Sequence, residues 1–422
     1  MHLPCLNIPD LMISLWRGTI DVDKKEDNKN SWYWAVLQGD VWKEHGKQVA
    51  LCTPYIPGSF DRPPRNPAEK INSGYKAWEF LMNFFGLGPC LFYGVLPDNI
   101  WKHYCKLVRG FRLMMQESIT VKEIEEASEL FTSFSDEFEI IYVQRKKSRI
   151  HFVRPCIHGI SHIPPETIRI GPFIIFSQWV IERTIGNLGE EIKNHCSLYA
   201  NLEQRGIRRC QVNALKALFP DLNPPDNILP RGALDIGDGY LFLRARDRTA
   251  RPLSAEVEHA AWRRYWISQG VPESELPDKH KVYRWAKLCL PNGQNARARW
   301  KEEAKGIEHV RMSRHVKEKH LAVISLFGEH NNELYEMSSK TYRTMQHFRD
   351  INVHVVEVKD ILSVVIMAPD PRYKTKIQDG TENNRWFMVE KPGLTISALQ
   401  GFNEAENDIQ SNREGAPTTQ SV

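Results

Sequence analysis

No apolar run in the sequence approaches the ~18 residues that a membrane-spanning helix needs, and the N-terminus lacks a secretory signal pattern. Neither a membrane span nor signal-directed export is therefore expected. The eight cysteines (Cys5, Cys52, Cys90, Cys105, Cys156, Cys196, Cys210 and Cys289) are scattered, and none forms a C-x-x-C pair. A zinc ribbon and a dense disulfide framework are both unsupported, and reduced thiols in the cytosol or nucleus are the expectation. There is no Walker A sequence, and Gly86-Leu87-Gly88 lacks the third glycine and the helix start of a dinucleotide loop. A nucleophile-elbow serine, an H-E-x-x-H pair and internal repeats are also missing.

What is present is an ordinary globular composition, 41% hydrophobic and 26% charged over 422 residues, enough for two or three domains with buried cores. Most of the twelve tryptophans stand beside charge, as in Trp262-Arg263-Arg264 and Arg299-Trp300-Lys301. That pattern suits large side chains at the edge of a core, or rings that stack on bases. The net charge of +4 is unevenly spread: residues 231–319 hold 19 Lys/Arg against 12 Asp/Glu, so the remainder is net negative. A basic block of this kind suits a polyanion, although a solvated helical face has the same composition. Its candidate nucleic-acid contacts are Arg244, Arg246, Arg248, Arg263, Arg264, Arg297, Arg299, Lys301, Arg311 and Arg314.

Five regions follow from pattern. Residues 1–67 are proline-rich and irregular, since Pro54, Pro57, Pro63, Pro64 and Pro67 exclude a continuous helix there; only 3–16 is apolar enough for a buried helix or strand. Residues 68–219 are predicted mainly helical. Thr120-x-x-Glu123 is a capping box opening a helix whose apolar positions Val121, Ile124, Ala127, Leu130, Phe134, Phe138 and Ile141 share one face. Basic Arg145, Lys146, Lys147 and Arg149 follow it, which suits a helix C-terminus. Further helices are expected near 98–116, 173–195 and 200–218. Prolines and glycines mark 220–239 as a linker. Residues 240–400 are expected to form a smaller α+β or β-barrel-like domain, with strands near 240–244, 321–327, 353–358, 361–367 and 386–389 and a helix over 254–268. Asp235-x-Gly237-Asp238-Gly239 has the residues of a calcium loop without its continuation, and a tight turn into the strand is expected. The tail 401–422 is polar and expected to be disordered.

The densest cluster of reactive side chains lies between His151 and Lys193. His158 and His162, four apart, could grip a metal from one helix face, with Glu166 or Glu182 as third ligand; packing within a helical core is the structural alternative. Glu182 lies among Trp179, Val180, Ile181 and Ile185, so its face is expected to be partly buried. A carboxylate there needs a cationic partner or a bound cation such as Mg²⁺.

Several stretches together resemble a known family. They include Leu15-Trp16-Arg17-Gly18-Thr19-Ile20-Asp21, Phe60-Asp61-Arg62-Pro63-Pro64-Arg65-Asn66-Pro67, and the block from Lys70 to Phe80 followed by Phe85-Gly86-Leu87-Gly88-Pro89. The fullest match is 158–219, with Ile181-Glu182-Arg183-Thr184-Ile185-Gly186-Asn187-Leu188-Gly189-Glu190-Glu191 and Gln211-Val212-Asn213-Ala214-Leu215-Lys216-Ala217. They resemble the Plavaka-like DNA transposases of basidiomycete fungi, related to the CACTA and Kyakuja–Dileera–Zisupton groups, over about residues 1–400. The resemblance implies an RNase H-like core in which three acids hold two Mg²⁺ ions for in-line attack on phosphorus. It implies a helical insertion over 68–150 and makes Glu182 the third acid. It also implies that the first two acids precede Met1, so the chain is expected to begin inside the catalytic core.

On this basis the chain is expected to be a truncated, transposon-derived protein that binds DNA in the nucleus without cutting it. Mg²⁺ belongs to the intact family, and none is expected for this chain alone. Homo-oligomers or pairing with an intact transposase are the assemblies left open. Two other functions compete: a domesticated chromatin or protein-interaction module, and a metal-dependent nuclease or hydrolase using His158, His162 and Glu182.

Overall fold

The computed structural model describes residues 2–391 apart from 24, 61, 193–195, 223–228, 246, 254, 299–310, 316–318, 349–352 and 374–384. The chain is a mixture of helix and antiparallel sheet. No helix among the described residues is long and apolar enough to cross a membrane.

The helical part begins with α1 (Ile8–Trp16), preceded by a π-helical turn at Leu3–Asn7. The apolar density of 3–16 is satisfied by burial: Ile8, Leu11, Met12, Leu15 and Trp16 are all enclosed. Helix α2 (Gly39–Leu51) interrupts the region expected to be irregular, because the five prolines read as excluding a helix, Pro54 to Pro67, all lie beyond Leu51. Helices α3 (Asp98–Met114) and α4 (Val121–Phe138) pack closely, and the Thr120–Glu123 capping box forms in both directions. Ile124, Ala127, Phe134 and Phe138 of the expected face are buried, joined by Phe131, while Val121 stays exposed on the first turn. Trp16 anchors this core. It stacks on Phe84 at 5.8 Å, meets Phe92 and Tyr104 edge-on, and donates Nε1–H to the Tyr142 hydroxyl at 3.0 Å.

Arg149, read as part of a basic cluster that suits a helix C-terminus, is enclosed with Asp27. Its Nη2 donates to Asp27 Oδ1 at 2.6 Å, its Nε also reaches that carboxylate, and Trp34 and Trp32 lie 5.1 and 5.6 Å from the guanidinium carbon. Arg112 does comparable work where the chain passes through π-helical geometry at Leu81–Leu87. It donates to the carbonyls of Phe85, Gly86 and, across the molecule, Thr341.

Beyond α5 (Ile163–Ile170), α6 (Trp179–Glu191) and α7 (Leu198–Leu218), the chain becomes sheet. The stretch read as a linker already supplies β1 (Leu234–Asp235). It pairs with β2 (Leu241–Ala245) through the tight turn expected at Gly237-Asp238-Gly239, where both glycines have φ near +80°. An eight-stranded antiparallel sheet follows the path β1-β2-β4-β6-β7-β10, with β3 (Arg251–Pro252) and β5 (Asn295–Arg297) paired to β4 (Lys281–Cys289). Strands β6 (Arg311–His315), β7 (His320–Ser325) and β10 (Val353–Glu357) complete it. Side chains alternate along β7: Leu321 and Val323 join Trp262 of helix α8 (Glu256–Ser268), while Ala322 faces the cluster of Phe242, Trp285 and Leu288.

A second sheet has the order β11-β12-β9-β8, from β8 (Phe327–His330), β9 (Arg343–His347), β11 (Ile366–Pro369) and β12 (Arg385–Val389). Its Ile366, Ala368, Phe387 and Val389 belong to the helical core rather than to the eight-stranded sheet's clusters. The C-terminal region thus contributes two separate antiparallel sheets. Residues 401–422 lie outside the described residues.

Candidate functional site

Glu182 sits in the first turn of α6, not in its middle, because the helix starts at Trp179. An acid there complements the N-terminal end of the helix dipole. Its carboxylate is 44% exposed, and its partner is the imidazole of His2, with Nε2 and Oε1 3.3 Å apart. Burial was expected from its apolar neighbours, yet Ile181 and Ile185 are themselves exposed, whereas Trp179 turns into the core. The same holds for α7, which buries none of its side chains.

His158 is in the last turn of the short helix Pro155–Gly159 and His162 closes the turn Ile160–His162, so the i,i+4 spacing does bring the rings together. Their Nε2 atoms are 2.9 Å apart and both rings are exposed, one donating to the other. Glu166 instead accepts from Arg169, with Nε at 3.0 Å, which holds its carboxyl below the usual carboxylate range. Among the described residues no three His, Cys, Asp or Glu side chains are placed to hold a metal ion. The expected set of His158, His162 and Glu182 is therefore not assembled, and the two histidines face each other as a pair.

The basic candidates gather on the eight-stranded sheet and its covering helix. Arg244 is on β2, Arg263 and Arg264 on α8, Arg297 on β5, and Arg311 and Arg314 on β6. Arg244 and Arg248 are exposed. Arg263 donates to Glu273 at 3.0 Å and Arg264 to the Val353 carbonyl at 2.9 Å, so part of this charge is used within the fold. Arg246, Arg299 and Lys301 lie outside the described residues, as do the side chains of Arg311 and Arg314. Trp262 is fully buried under the helix and unavailable for stacking on a base. The pairing of β3 with β4 adds two exposed cations, by setting Arg251 opposite Val282 and Pro252 opposite Lys281. Arg251 and Lys281 are 30 positions apart, and only the pairing reveals them as neighbours.

Six cysteines are buried and two, Cys196 and Cys210, exposed, and no disulfide joins them. Burial pushes Cys5 and Cys105 up to about 12, which makes them structural rather than nucleophilic. No protein-family profile, curated protein or solved structure matches this chain.

Proposed function

We propose that the chain is a transposon-derived protein that binds nucleic acid in the nucleus and does not by itself cut DNA strands. The observation that carries this reading is the setting of Glu182. It stands on an exposed helix face with His2 beside it, at the position where the Plavaka-like resemblance places an acid. In-line phosphoryl chemistry with two metal ions needs several carboxylates converging on them; a lone carboxylate with an imidazole partner does not supply that charge. The exposed cations along β2, β3 and β4 give the sheet the character of a phosphate-binding surface.

The test is incubation of supercoiled plasmid with the full chain and Mg²⁺, beside a binding assay on the same DNA. Binding without nicking is expected, and Glu182→Gln should match the parent in both. Mg²⁺-dependent nicking abolished by Glu182→Gln would overturn the proposal. The alternative of a protein-interaction module draws support from one feature, the exposed Ile181, Ile185, Leu198, Leu202 and Leu218 of α6 and α7.

A further inference from the structure

Helix α1 is buried on most sides but turns one polar stripe outward, Asp10, Ser14 and Arg17, at steps of four and three. Gly18 follows at φ +64°, where a left-handed conformation ends the helix and lets the Thr19 N–H reach the Ser14 carbonyl at 2.9 Å. The chain reverses there, and a cleft of about 180 Å³ opens along the stripe, lined also by Thr19, Asn72 and Phe80. That volume is several times the ~30 Å³ share of one liquid water.

Arg17 is the unusual member. Its guanidinium carbon lies 4.8 Å from the centre of the Trp42 ring, and Trp42 stacks in turn on His45 and His45 on Phe92. Burial lowers the pKa of Arg17 from its ordinary value, yet a guanidinium stays charged at any physiological pH. Among the described residues no carboxylate or carbonyl accepts from its side chain. Asp10, the acid lining the cleft, is turned to Arg154 at 2.9 Å. The Ser14 hydroxyl and the Asn72 amide likewise make no side-chain hydrogen bond among the described residues. His45, held neutral by burial with its pKa down to about 3, adds no competing charge behind Trp42. A partly desolvated cation on an aromatic column, beside two unused donors in an open cleft, is a site without its anion.

We propose that this cleft binds a phosphate group, with Arg17 as the charge partner and Ser14 and Asn72 as further donors. The phosphate belongs either to a nucleic-acid backbone or to a small phosphorylated molecule. The site lies on α1, apart from the cationic residues of the eight-stranded sheet.

The experiment is thermal unfolding of the full chain with inorganic phosphate against chloride at equal ionic strength, for the parent, Arg17→Gln and Asn72→Ala. A parallel titration uses a short single-stranded DNA. A phosphate-dependent rise in Tm is expected in the parent, lost in Arg17→Gln and reduced in Asn72→Ala, with all three equally stable in chloride. DNA affinity falling about tenfold in Arg17→Gln would assign the phosphate to nucleic acid; unchanged DNA affinity alongside the lost phosphate effect would assign it to a small molecule. No phosphate effect in the parent, or an equal effect in all three proteins, would overturn the proposal. That result would leave DNA binding by the sheet untouched, so the two readings fail separately.

Discussion

Asp27 and Arg149 are each 1% exposed at the side chain, 122 positions apart, and bonded through both guanidinium nitrogens that face the carboxylate. Removing one partner leaves the other a buried charge without its main counter-ion, with only lesser contacts to offset its desolvation. Asp27→Asn should therefore destabilise the chain by about 3 kcal/mol or more in urea denaturation. The double replacement Asp27→Asn with Arg149→Met should recover much of that loss; equal stability of parent and single variant would contradict the assignment. The bond to Arg149 holds the Asp27 carboxyl below the usual range, so its contribution is present above the unfolded carboxylate pKa and lost as pH falls through the folded one.

His45 and His103 act in the same direction for a different reason. Burial depresses them to about 3 and about 4, so the folded chain keeps them neutral where the unfolded chain takes up protons. Stability should fall by roughly 1 kcal/mol per histidine for each pH unit below the ordinary histidine pKa, down to those values. His45→Phe should flatten the dependence of Tm on pH between about 6 and 4, and an unchanged slope would contradict it. None of these residues announced its role in the sequence. Asp27 stands in a run of charged and polar residues, and Arg149 in a basic cluster that suits a helix end equally well.

Among elements, the α3–α4 pair packs closely, and Gly110 permits the approach. A methyl group there would lie 2.4 Å from the ring of Phe131, itself 1% exposed and unable to move aside. Gly110→Ala would stabilise an isolated helix by up to about 1 kcal/mol. Here it should destabilise the protein by about 1–3 kcal/mol through overpacking, as read by chemical denaturation; a stabilised variant would show that the helices can separate. Helices of this kind were legible because a capping box and a 3.6-residue period are local signals. Strand β4 was not, although it is the longest of the described strands and central to its sheet. Its Lys281, Arg284 and Lys287 interrupt the apolar run, and Lys287 is buried all the same. Helix α2 was hidden by the proline cluster from Pro54 to Pro67, which lies wholly beyond its end. Glu182 was misplaced because apolar neighbours imply burial only when something covers them, and on α6 little does.

At the scale of the whole molecule, the helical core and the four-stranded sheet share one apolar cluster, while the eight-stranded sheet closes over two of its own. The cations of the basic block thus stand on a separately cored sheet, some spent on internal partners such as Glu273 and Asp247, others exposed. An electrostatic surface built this way should bind nucleic acid through phosphates and with little regard for sequence. The most direct test is the affinity of the full chain for labelled duplexes of unrelated sequence at rising salt. Binding is expected to weaken steeply and by the same factor for every duplex, as counterion release requires. Absence of binding at low salt, or affinity indifferent to salt, would contradict the nucleic-acid function proposed for this protein.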